Sequence, residues 1–362
     1  MVTNLTQEAK AKWAEAIAAR DPEVKLRLLK EFYSLMPKHK ATERLEMSIK
    51  RQISALEEEV EERRSRGKRR GSVKQEWTVR KEGIQLALVG SIEYSRMLFE
   101  SLTGVNTNVY DMLMRPKIGV FTALNARLQI VLTPLDDTIG ESRADRFISI
   151  IRNSDAILVC VDSLEYLHYI IELLESRNIN ILSEIRAKIE YTPQGGIRII
   201  GRSERVKESE VFEFIKGYGI KNAVVSVYND TTLDDVEGAI FGRVGKKAVF
   251  VKAGNIDDDS STLYYNGNAI NVIALNERER FMLDILKAIG VMRVFTKRIG
   301  GEATSEPLLV NEGLKVVELA EMIHKDIAKN LKFARVWRDG AIIKVGKDFI
   351  LKDMDVVELH SV

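Results

Sequence analysis

The strongest constraint on how this chain folds lies in residues 86–104, where an apolar run gives way to a helical pattern. The run at 84–89 ends at Gly90, and the helical pattern begins a few residues later. This is the strand, loop and helix order of a phosphate-binding P-loop, G-x-x-x-x-G-K-[ST]. The pattern would need Gly, Lys and a hydroxyl residue at its last three positions, where this chain has Ser95, Arg96 and Met97. The sequence therefore predicts the scaffold of a nucleotide site without its chemistry.

Short β-branched runs alternate with amphipathic helical patterns between residues 84 and 289. This alternation favours an α/β fold with a doubly wound, mostly parallel sheet. The predicted strands lie at residues 84–89, 128–132, 156–161, 223–227, 248–251 and 269–274. Residues 182–220 interrupt the alternation, and runs at 185–191 and 196–200 flank Thr-Pro-Gln-Gly, which predicts a hairpin in a small inserted α+β subdomain.

The two ends of the chain have different patterns. Residues 1–75 are helical in pattern, with a break at 37–40 that suggests an antiparallel helical hairpin. Residues 291–362 combine short strands with one helix, which is typical of a small α+β, grasp-type domain. We therefore expect a helical hairpin at 1–75, a central domain at 80–290 with its insert at 182–220, and a β-grasp domain at 291–362.

Composition narrows the class of protein. Apolar residues make up 45% of the chain and charged residues 30%, as in globular proteins. No apolar run approaches the length of a membrane span, and the first residues lack the apolar core of a signal peptide. The single cysteine, Cys160, lies in an apolar run, so no disulfide framework is expected. These observations predict a cytoplasmic protein without a membrane partner.

No residue spacing indicates a catalytic or metal site. The four histidines are scattered, and no Ser-His-Asp or Cys-His arrangement can be argued from the sequence. Asp-Asp-Asp-Ser-Ser at 257–261 lacks the spaced acceptors and terminal glutamate of a calcium-binding EF-hand loop. We expect neither a catalytic residue nor a bound metal, and no motif indicates specificity for DNA.

Two basic stretches are candidates for contact with RNA. Six of eight residues at the end of the second long helical pattern are basic: Arg63, Arg64, Arg66, Lys68, Arg69 and Arg70. A solvated helix end that complements the helix dipole would explain some of them, but their density favours phosphate contact. A second strip, 332–338, interleaves aromatic residues with Lys332, Arg335 and Arg338. It fits a half-buried strand and RNA contact through stacking and phosphates equally well.

Several segments, in order along the chain, resemble the developmentally regulated GTP-binding proteins, the archaeal and eukaryotic branch of the Obg-like GTPases. In the first two thirds of the chain the segments are Met-Pro-Lys-His-Lys-Ala-Thr-Glu at 36–43, Leu-Gln-Ile-Val at 128–131 and Asn-Ser-Asp-Ala-Ile-Leu at 153–158. The segments at 293–297, 323–326, 333–337 and 355–358 resemble that family's C-terminal TGS domain. The resemblance implies a P-loop GTPase-like central domain followed by a TGS-like β-grasp domain.

The resemblance also implies which positions would form the nucleotide site: Gly90, Ser95, Arg96, Met97, Leu132, Pro134, Asn255 and Asp257. Arg96 replaces the phosphate-binding lysine, Met97 the magnesium-binding hydroxyl and Leu132 the acid of switch II, while the switch I threonine region aligns with Leu113-Met114. None of these apolar side chains offers the hard oxygen that magnesium needs. Losing roughly three charge-assisted hydrogen bonds would weaken binding by about 5–8 kcal/mol.

The resulting expectation is a pseudo-GTPase related to the developmentally regulated GTP-binding proteins. It would bind the ribosome or another structured RNA in translation, without a GTP cycle or a cofactor, and a protein partner could regulate it. A protein–protein adaptor that never meets RNA is a further possibility. The main alternative is a divergent but active GTP-binding protein, with GTP and Mg²⁺ bound, Arg96 replacing the lysine and Asp257 reading the base.

Overall fold

The computed structural model describes residues 5–19, 21–39, 42–66, 77, 79–182, 186–253, 262–275 and 277–361. Its helices are α1 (Gln7–Ala18), α2 (Pro22–Leu35), α3 (Glu43–Arg66), α4 (Ile92–Thr103), α5 (Val109–Met114), α6 (Glu141–Asn153), α7 (Leu164–Ser176), α8 (Glu208–Gly217), α9 (Leu233–Ile240), α10 (Arg278–Ile289), α11 (Val316–Ile323) and α12 (Lys325–Lys329). Within these ranges, none of the helices combines the length and the hydropathy that crossing a membrane requires.

The first ten strands are β1 (Gln85–Val89), β2 (Lys117–Ala123), β3 (Ala126–Leu132), β4 (Ala156–Val161), β5 (Ile179–Asn180), β6 (Ala187–Tyr191), β7 (Ile197–Gly201), β8 (Ala223–Val227), β9 (Val244–Gly245) and β10 (Lys247–Lys252). The later strands are β11 (Thr262–Tyr265), β12 (Asn268–Ile273), β13 (Val291–Lys297), β14 (Leu308–Asn311), β15 (Leu331–Arg338), β16 (Ala341–Val345) and β17 (Val356–Ser361).

A seven-stranded sheet in the order β11-β12-β10-β4-β1-β3-β2 forms the central fold. Its inner strands pair in parallel, and the edge strands β2 and β11 are antiparallel to their neighbours. Every residue of β1 and β4 is buried, as expected for strands that are covered on both faces. Alternate residues of these strands share one core with α4 and α10. The predicted α/β fold with a mostly parallel sheet is confirmed.

The chain divides into two compact units, and the first comprises Met1–Glu76 and His168–Lys246. In it, α2 packs against α3 as the predicted hairpin, and α1 adds a third helix against α2. These helices share a core with a three-stranded sheet, in the order β6-β8-β7, and with α8 and α9. Trp13 lies at the centre of this core, with ring centroids 5.2 Å from Phe32 and 5.1 Å from Phe241. The inserted sheet and the N-terminal helices therefore bury their apolar faces together.

The small sheet corrects two sequence predictions. The run at 223–227, predicted for the main sheet, is β8 and lies at the centre of the small sheet. Since β8 pairs antiparallel with β6 and parallel with β7, those two strands do not pair with each other, and the predicted hairpin is wrong. An apolar run specifies a strand but not its sheet, because sheet membership depends on partners that are distant along the chain.

The second unit comprises Trp77–Leu167 and Lys247–Val362, and its C-terminal part forms a separate five-stranded sheet, β14-β13-β17-β15-β16. One face of this sheet packs on α11 and α12, around buried Val294, Leu319 and Val336. One helical layer on a mixed five-stranded sheet is the grasp-type arrangement that the sequence predicted.

Candidate functional site

The junction between β1 and α4 lies where a P-loop would be. Only Gly90 and Ser91 separate the strand from the helix, which begins at Ile92. Residues 92–95, which a P-loop would hold open, form the first helical turn. The N–H of Ser95 donates to the carbonyl of Ser91 at 3.0 Å, and the Ser95 hydroxyl donates to the same carbonyl at 2.6 Å. The backbone N–H of Ser95, at the position of the second P-loop glycine, is therefore used within the helix.

Gly90 is required because α4 lies close to the sheet. A Cβ atom at this position would stand 2.8 Å from the Cβ of Ser95 and 2.9 Å from the Cβ of Cys160. Ser95 and Cys160 are both fully buried. The carbonyl of Gly90 accepts the N–H of Leu135 at 3.0 Å. Glycine at position 90 thus allows α4 to start close to Cys160 of β4.

Two carboxylates of the chain stand at the N-terminus of α4. The N–H of Ile92 donates to Asp136 Oδ2 at 3.5 Å, and the hydroxyl of Ser91 donates to Asp162 Oδ2 at 2.6 Å. Burial opposes ionisation of Asp136, but hydrogen bonds from the N–H and hydroxyl of Thr138 and from Ile92 outweigh it and lower its pKa. The positive end of the helix dipole therefore already has an anion. A phosphate here would meet negative charge.

Arg96 and Met97 replace the P-loop lysine and hydroxyl. Neither side chain is placed to bind a phosphate or a magnesium ion. Arg96 Nη1 pairs with Glu100 Oε2 one turn along the helix, at 3.1 Å. Glu100 also accepts the N–H of Thr107 at 2.8 Å, so the ion pair holds the chain after α4. Met97 is 52% exposed and has only a thioether, a poor ligand for magnesium.

The segment in the place of switch II is buried and continues the sheet. Leu132 and Pro134 are buried, and the N–H and hydroxyl of Thr133 both donate to the carbonyl of Leu88, at 2.9 and 3.0 Å. The phenol of Tyr166 donates to the carbonyl of Leu135, the residue after Pro134, at 2.9 Å. This backbone is held by the strand beside it and presents no acid at position 132.

The segment in the place of switch I is the short helix α5. Its Asp111 accepts a hydrogen bond from Lys117 Nζ at 2.9 Å, which is the main cause of the lowered pKa of this carboxyl. Leu113 and Met114 supply no oxygen to this region. Asn255 and Asp257, the predicted base-reading positions, lie outside the described residues. The residues that are described here do not fit a Mg²⁺–nucleotide held in the P-loop manner.

The basic candidates have different surroundings. Arg63, Arg64 and Arg66 belong to the last turn of α3, but their side chains are outside the described part of the structure, as are Lys68, Arg69 and Arg70 altogether. On β15, Arg338 forms a two-pronged ion pair with fully buried Asp355, with Nε–Oδ1 at 2.8 Å and Nη2–Oδ2 at 2.7 Å. Arg338 is therefore part of the domain's internal structure, whereas Lys332 and Arg335 are exposed.

The side of the C-terminal sheet that faces away from α11 and α12 carries aromatic and basic residues. We call it the outer face and define it by Lys297, Phe333, Arg335, Trp337, Lys344, Glu358 and His360. Register places the members of β15, β16 and β17 beside one another: Arg335 pairs with Lys344 and with Glu358, and Phe333 pairs with His360. The sequence strip at 332–338 indicated three of these residues. Lys297 and Lys344 come next to the rings of that strip only in the folded sheet.

Cations and rings alternate on the outer face. Lys344 Nζ lies 4.2 Å from the ring centroid of Phe333, and Lys297 Nζ lies 4.2 Å from that of Trp337. The His360 ring stacks on Phe333 at 4.3 Å. Amine–ring contacts of this length are favourable because the ring face is electron-rich.

Glu358 is the carboxylate at the centre of the outer face. It is almost fully buried and lies 2.7 Å from His360 Nε2, 3.4 Å from Arg335 Nη1 and 3.8 Å from Lys297 Nζ. Burial disfavours its charged form, but hydrogen bonds from His360 and the Gly300 N–H and the nearby positive charges outweigh this and lower its pKa. Glu358 therefore holds Lys297 and Arg335 by ion pairs and adds little negative surface.

Comparisons with known proteins identify the family of the C-terminal domain and relatives of most of the chain. Residues 292–361 match the TGS domain family. An uncharacterised GTP-binding protein of Methanocaldococcus jannaschii is 25% identical over 366 aligned residues, which cover 93% of this chain and 92% of that one. Developmentally-regulated GTP-binding protein 1 of Xenopus laevis is 26% identical over 72% of this chain and 78% of its own length. The chain is related to the developmentally regulated GTP-binding proteins. Among solved structures, the Schizosaccharomyces pombe YchF GTPase covers 78% of this chain and 99% of its own, with 13% identity and a TM-score of 0.43.

The fold brings some of the predicted nucleotide-site residues together at the junction between β1 and α4. Gly90, Ser95, Leu132 and Pro134 meet around the carboxyl end of β1, while Asp136 and Asp162 complete the site. Sequence reasoning missed these two acids. Each follows a predicted strand by one to four residues, and the carboxyl ends of neighbouring parallel strands meet at one edge of a sheet. That placement was the available signal.

Proposed function

We propose that this protein is a pseudo-GTPase of the developmentally regulated type that binds the ribosome or another structured RNA in the cytoplasm, without a GTP cycle. The observation that carries the proposal is the N-terminus of α4. Its first turn is already helical, and the Asp136 carboxylate accepts from one of its N–H groups, that of Ile92, at 3.5 Å. The G-domain-like sheet then serves as a rigid platform for the surfaces that make contacts.

A triphosphate bound at this junction would have to displace parts of the folded chain. It would need to unwind the first turn of α4, and it would face the negative charges of Asp136 and Asp162. Losing a carboxylate at a helix N-terminus costs about 0.3–1 kcal/mol, and three missing charge-assisted hydrogen bonds add about 5–8 kcal/mol. Together these terms would raise a micromolar dissociation constant by several decades.

Two features support an RNA partner. The end of α3 and the residues that follow it carry six basic residues in eight, and dense cations give phosphate affinity that depends on salt. The outer face supplies a second set of cations beside aromatic rings. The resemblance to translation-linked GTPases makes the ribosome the first candidate.

One observation favours the alternative of a divergent but active GTP-binding protein. The Methanocaldococcus jannaschii relative, which is described as a GTP-binding protein, aligns with nearly all of this chain. The alternative requires the chain to bind GTP and Mg²⁺ with Arg96 in place of the lysine, which means breaking the ion pair between Arg96 and Glu100.

The melting temperature with and without nucleotide separates the two hypotheses. A ligand at about 100 times its dissociation constant stabilises a protein by about 2.7 kcal/mol, which shifts the melting temperature of a domain of about 200 residues by roughly 5–10 °C. We expect no shift with GTP, GDP or ATP and Mg²⁺, measured beside the Methanocaldococcus jannaschii relative as a reference. A guanine-specific, Mg²⁺-dependent shift would overturn the pseudo-GTPase proposal.

Ribosome co-sedimentation tests the partner. The test variant replaces with glutamine all six basic residues at the end of α3 and beyond: Arg63, Arg64, Arg66, Lys68, Arg69 and Arg70. We expect the wild type to co-sediment at low salt and the variant to do so less. Equal co-sedimentation of both proteins would refute phosphate contact by this segment, and no co-sedimentation of the wild type would refute the ribosome as partner.

A further inference from the structure

We propose that the outer face of the C-terminal sheet binds single-stranded RNA, with bases stacked on Phe333 and Trp337 and phosphates held by Lys297, Arg335 and Lys344. This inference rests on the proposed RNA partner and names the surface and the form of RNA that it takes. It goes beyond the sequence strip at 332–338, because the structure removes Arg338 from the contact set and adds two lysines from other strands.

The spacing of the rings suits a nucleic acid strand. Phe333 and Trp337 lie four residues apart on β15, with Arg335 between them on the same side. At about 3.3 Å per residue the two rings are about 13 Å apart along the strand. A ring, a cation and a second ring in line offer a stacking platform, a phosphate contact and another stacking platform.

A lysine ammonium group covers each ring, and an RNA base can replace it there. Lys344 and Lys297 rest over Phe333 and Trp337, and Lys344 is exposed. A base that stacks on an aromatic ring contributes more than an exposed amine over that ring does. We expect each base to replace an ammonium group over a ring while the displaced ammonium moves to a neighbouring phosphate.

The charge of the outer face favours a polyanion. The cations Lys297 and Arg335 and the ring of His360 surround Glu358, which is almost fully buried. An acidic peptide would use the cations but not the two rings, whereas single-stranded RNA uses both. Duplex RNA, in which the bases are paired, would also leave the rings unused.

The test compares two matched double variants of the full chain. The face variant is Phe333→Leu with Lys344→Ala. The control, Phe349→Leu with Lys347→Ala, removes the same two residue types in the same domain. Lys347 is exposed, and Phe349 packs on the side of the sheet that faces α11. Both variants keep apolar bulk at the ring position, and their melting temperatures are measured first.

The probe is an unstructured, fluorescein-labelled RNA of about 12 nucleotides, and binding is followed by anisotropy at about 50 and 200 mM NaCl. We expect the face variant to raise the dissociation constant about tenfold or more, and the control to change it by less than about twofold. The salt slope should fall by about 0.7 for the lysine that is lost. Equal dissociation constants for the two variants would overturn the inference.

A replacement variant and two further nucleic acid probes complete the experiment. If the face variant fails to fold, Lys344→Glu on the exposed edge strand β16 replaces it, and unchanged RNA affinity in that variant would overturn the inference. An equal loss of affinity for a duplex RNA of the same length would show phosphate contact alone and would refute stacking. A single-stranded DNA of the same sequence is the third probe, and tighter binding of DNA than RNA would also contradict the proposal.

Ribosome co-sedimentation of the same variants separates this inference from the proposed function. If the wild type binds ribosomes while both double variants bind the oligonucleotide equally, the inference fails and the proposed function stands. If the face is needed for oligonucleotide binding but the wild type does not co-sediment with ribosomes, the ribosome proposal fails and the RNA-binding face stands.

Discussion

Replacing Gly90 with alanine tests whether the junction after β1 is closed. The new Cβ would lie 2.8 Å from the Cβ of Ser95 and 2.9 Å from that of Cys160. Carbon atoms normally pack about 3.5–4.0 Å apart, so both contacts are about 1 Å too short. Neither neighbour is the end of a flexible side chain, because each is a Cβ fixed by a helix or a strand. Helix α4 or strand β4 must therefore shift.

Overpacking of this kind costs about 1–3 kcal/mol. In a unit of about 200 residues each 1 kcal/mol lowers the melting temperature by about 2–4 °C, so we expect a decrease of about 2–12 °C. Gly140→Ala is the matched control. Gly140 also precedes a helix, has an ordinary φ of −57° and has no atom within 4 Å of its added Cβ. Alanine caps a helix less well than glycine, which lowers stability, but it also reduces the entropy of the unfolded chain, which raises stability. The two effects should nearly cancel.

Urea unfolding and thermal melts of the two variants and the wild type decide the question. If Gly90→Ala is as stable as Gly140→Ala, the Cβ atoms of Ser95 and Cys160 are not where the structure places them. The first turn of α4 would then lie farther from Gly90 and β4, and the pseudo-GTPase proposal would lose structural support.

Three further predictions concern single side chains. Asp136→Asn should lower the free energy of unfolding by about 0.5–1 kcal/mol near pH 7. Because the pKa of Asp136 is lowered in the folded state, the stability that its carboxylate contributes is present above the unfolded pKa of about 3.9. That stability is lost as the pH falls through the folded pKa. Cys160, whose pKa is raised to about 12 by burial and a nearby carboxylate, should resist iodoacetamide near pH 8 until the protein unfolds, as mass spectrometry would show. Arg338→Met should cost about 3–5 kcal/mol in urea unfolding, because Asp355 is left buried and unpaired, whereas Arg335→Met should cost about 1 kcal/mol or less.

Each of these predictions has a contrary outcome. A stability difference for Asp136→Asn that grows in acid would reverse the sign of the pKa argument. Rapid alkylation of Cys160 in the folded protein would mean that β4 is not covered by α4. Equal costs for the two arginine variants would mean that Arg338 is not an internal residue of the domain.

Some elements and site residues could be predicted from the sequence, and others could not. Local pattern was enough for the main sheet's inner strands and for the C-terminal domain, because a β-branched run or an amphipathic stripe fixes the element type with neighbours along the chain. The order of segments was enough for the relationship to GTP-binding proteins. The loss of lysine and hydroxyl at positions 96 and 97 could also be read directly.

Tertiary structure decided what depends on residues far apart in sequence. Nothing local places β8 in the small sheet, because its partners begin at Ala187 and Ile197. Residues 92–95 suit either a loop or a helical turn, and their helical form comes with the close approach of Ser95 and Cys160 to Gly90.

The sequence by itself determined the inner strands of the main sheet, the type of the C-terminal domain and the absence of the P-loop lysine and hydroxyl, since each is a property of neighbouring residues. Only the folded chain decided that Asp136 occupies the helix N-terminus, that Arg338 is internal and that Lys297 and Lys344 join the rings of β15. The physical reason is that burial and ion pairing depend on distance in space, and strands that are adjacent in a sheet need not be adjacent in the chain.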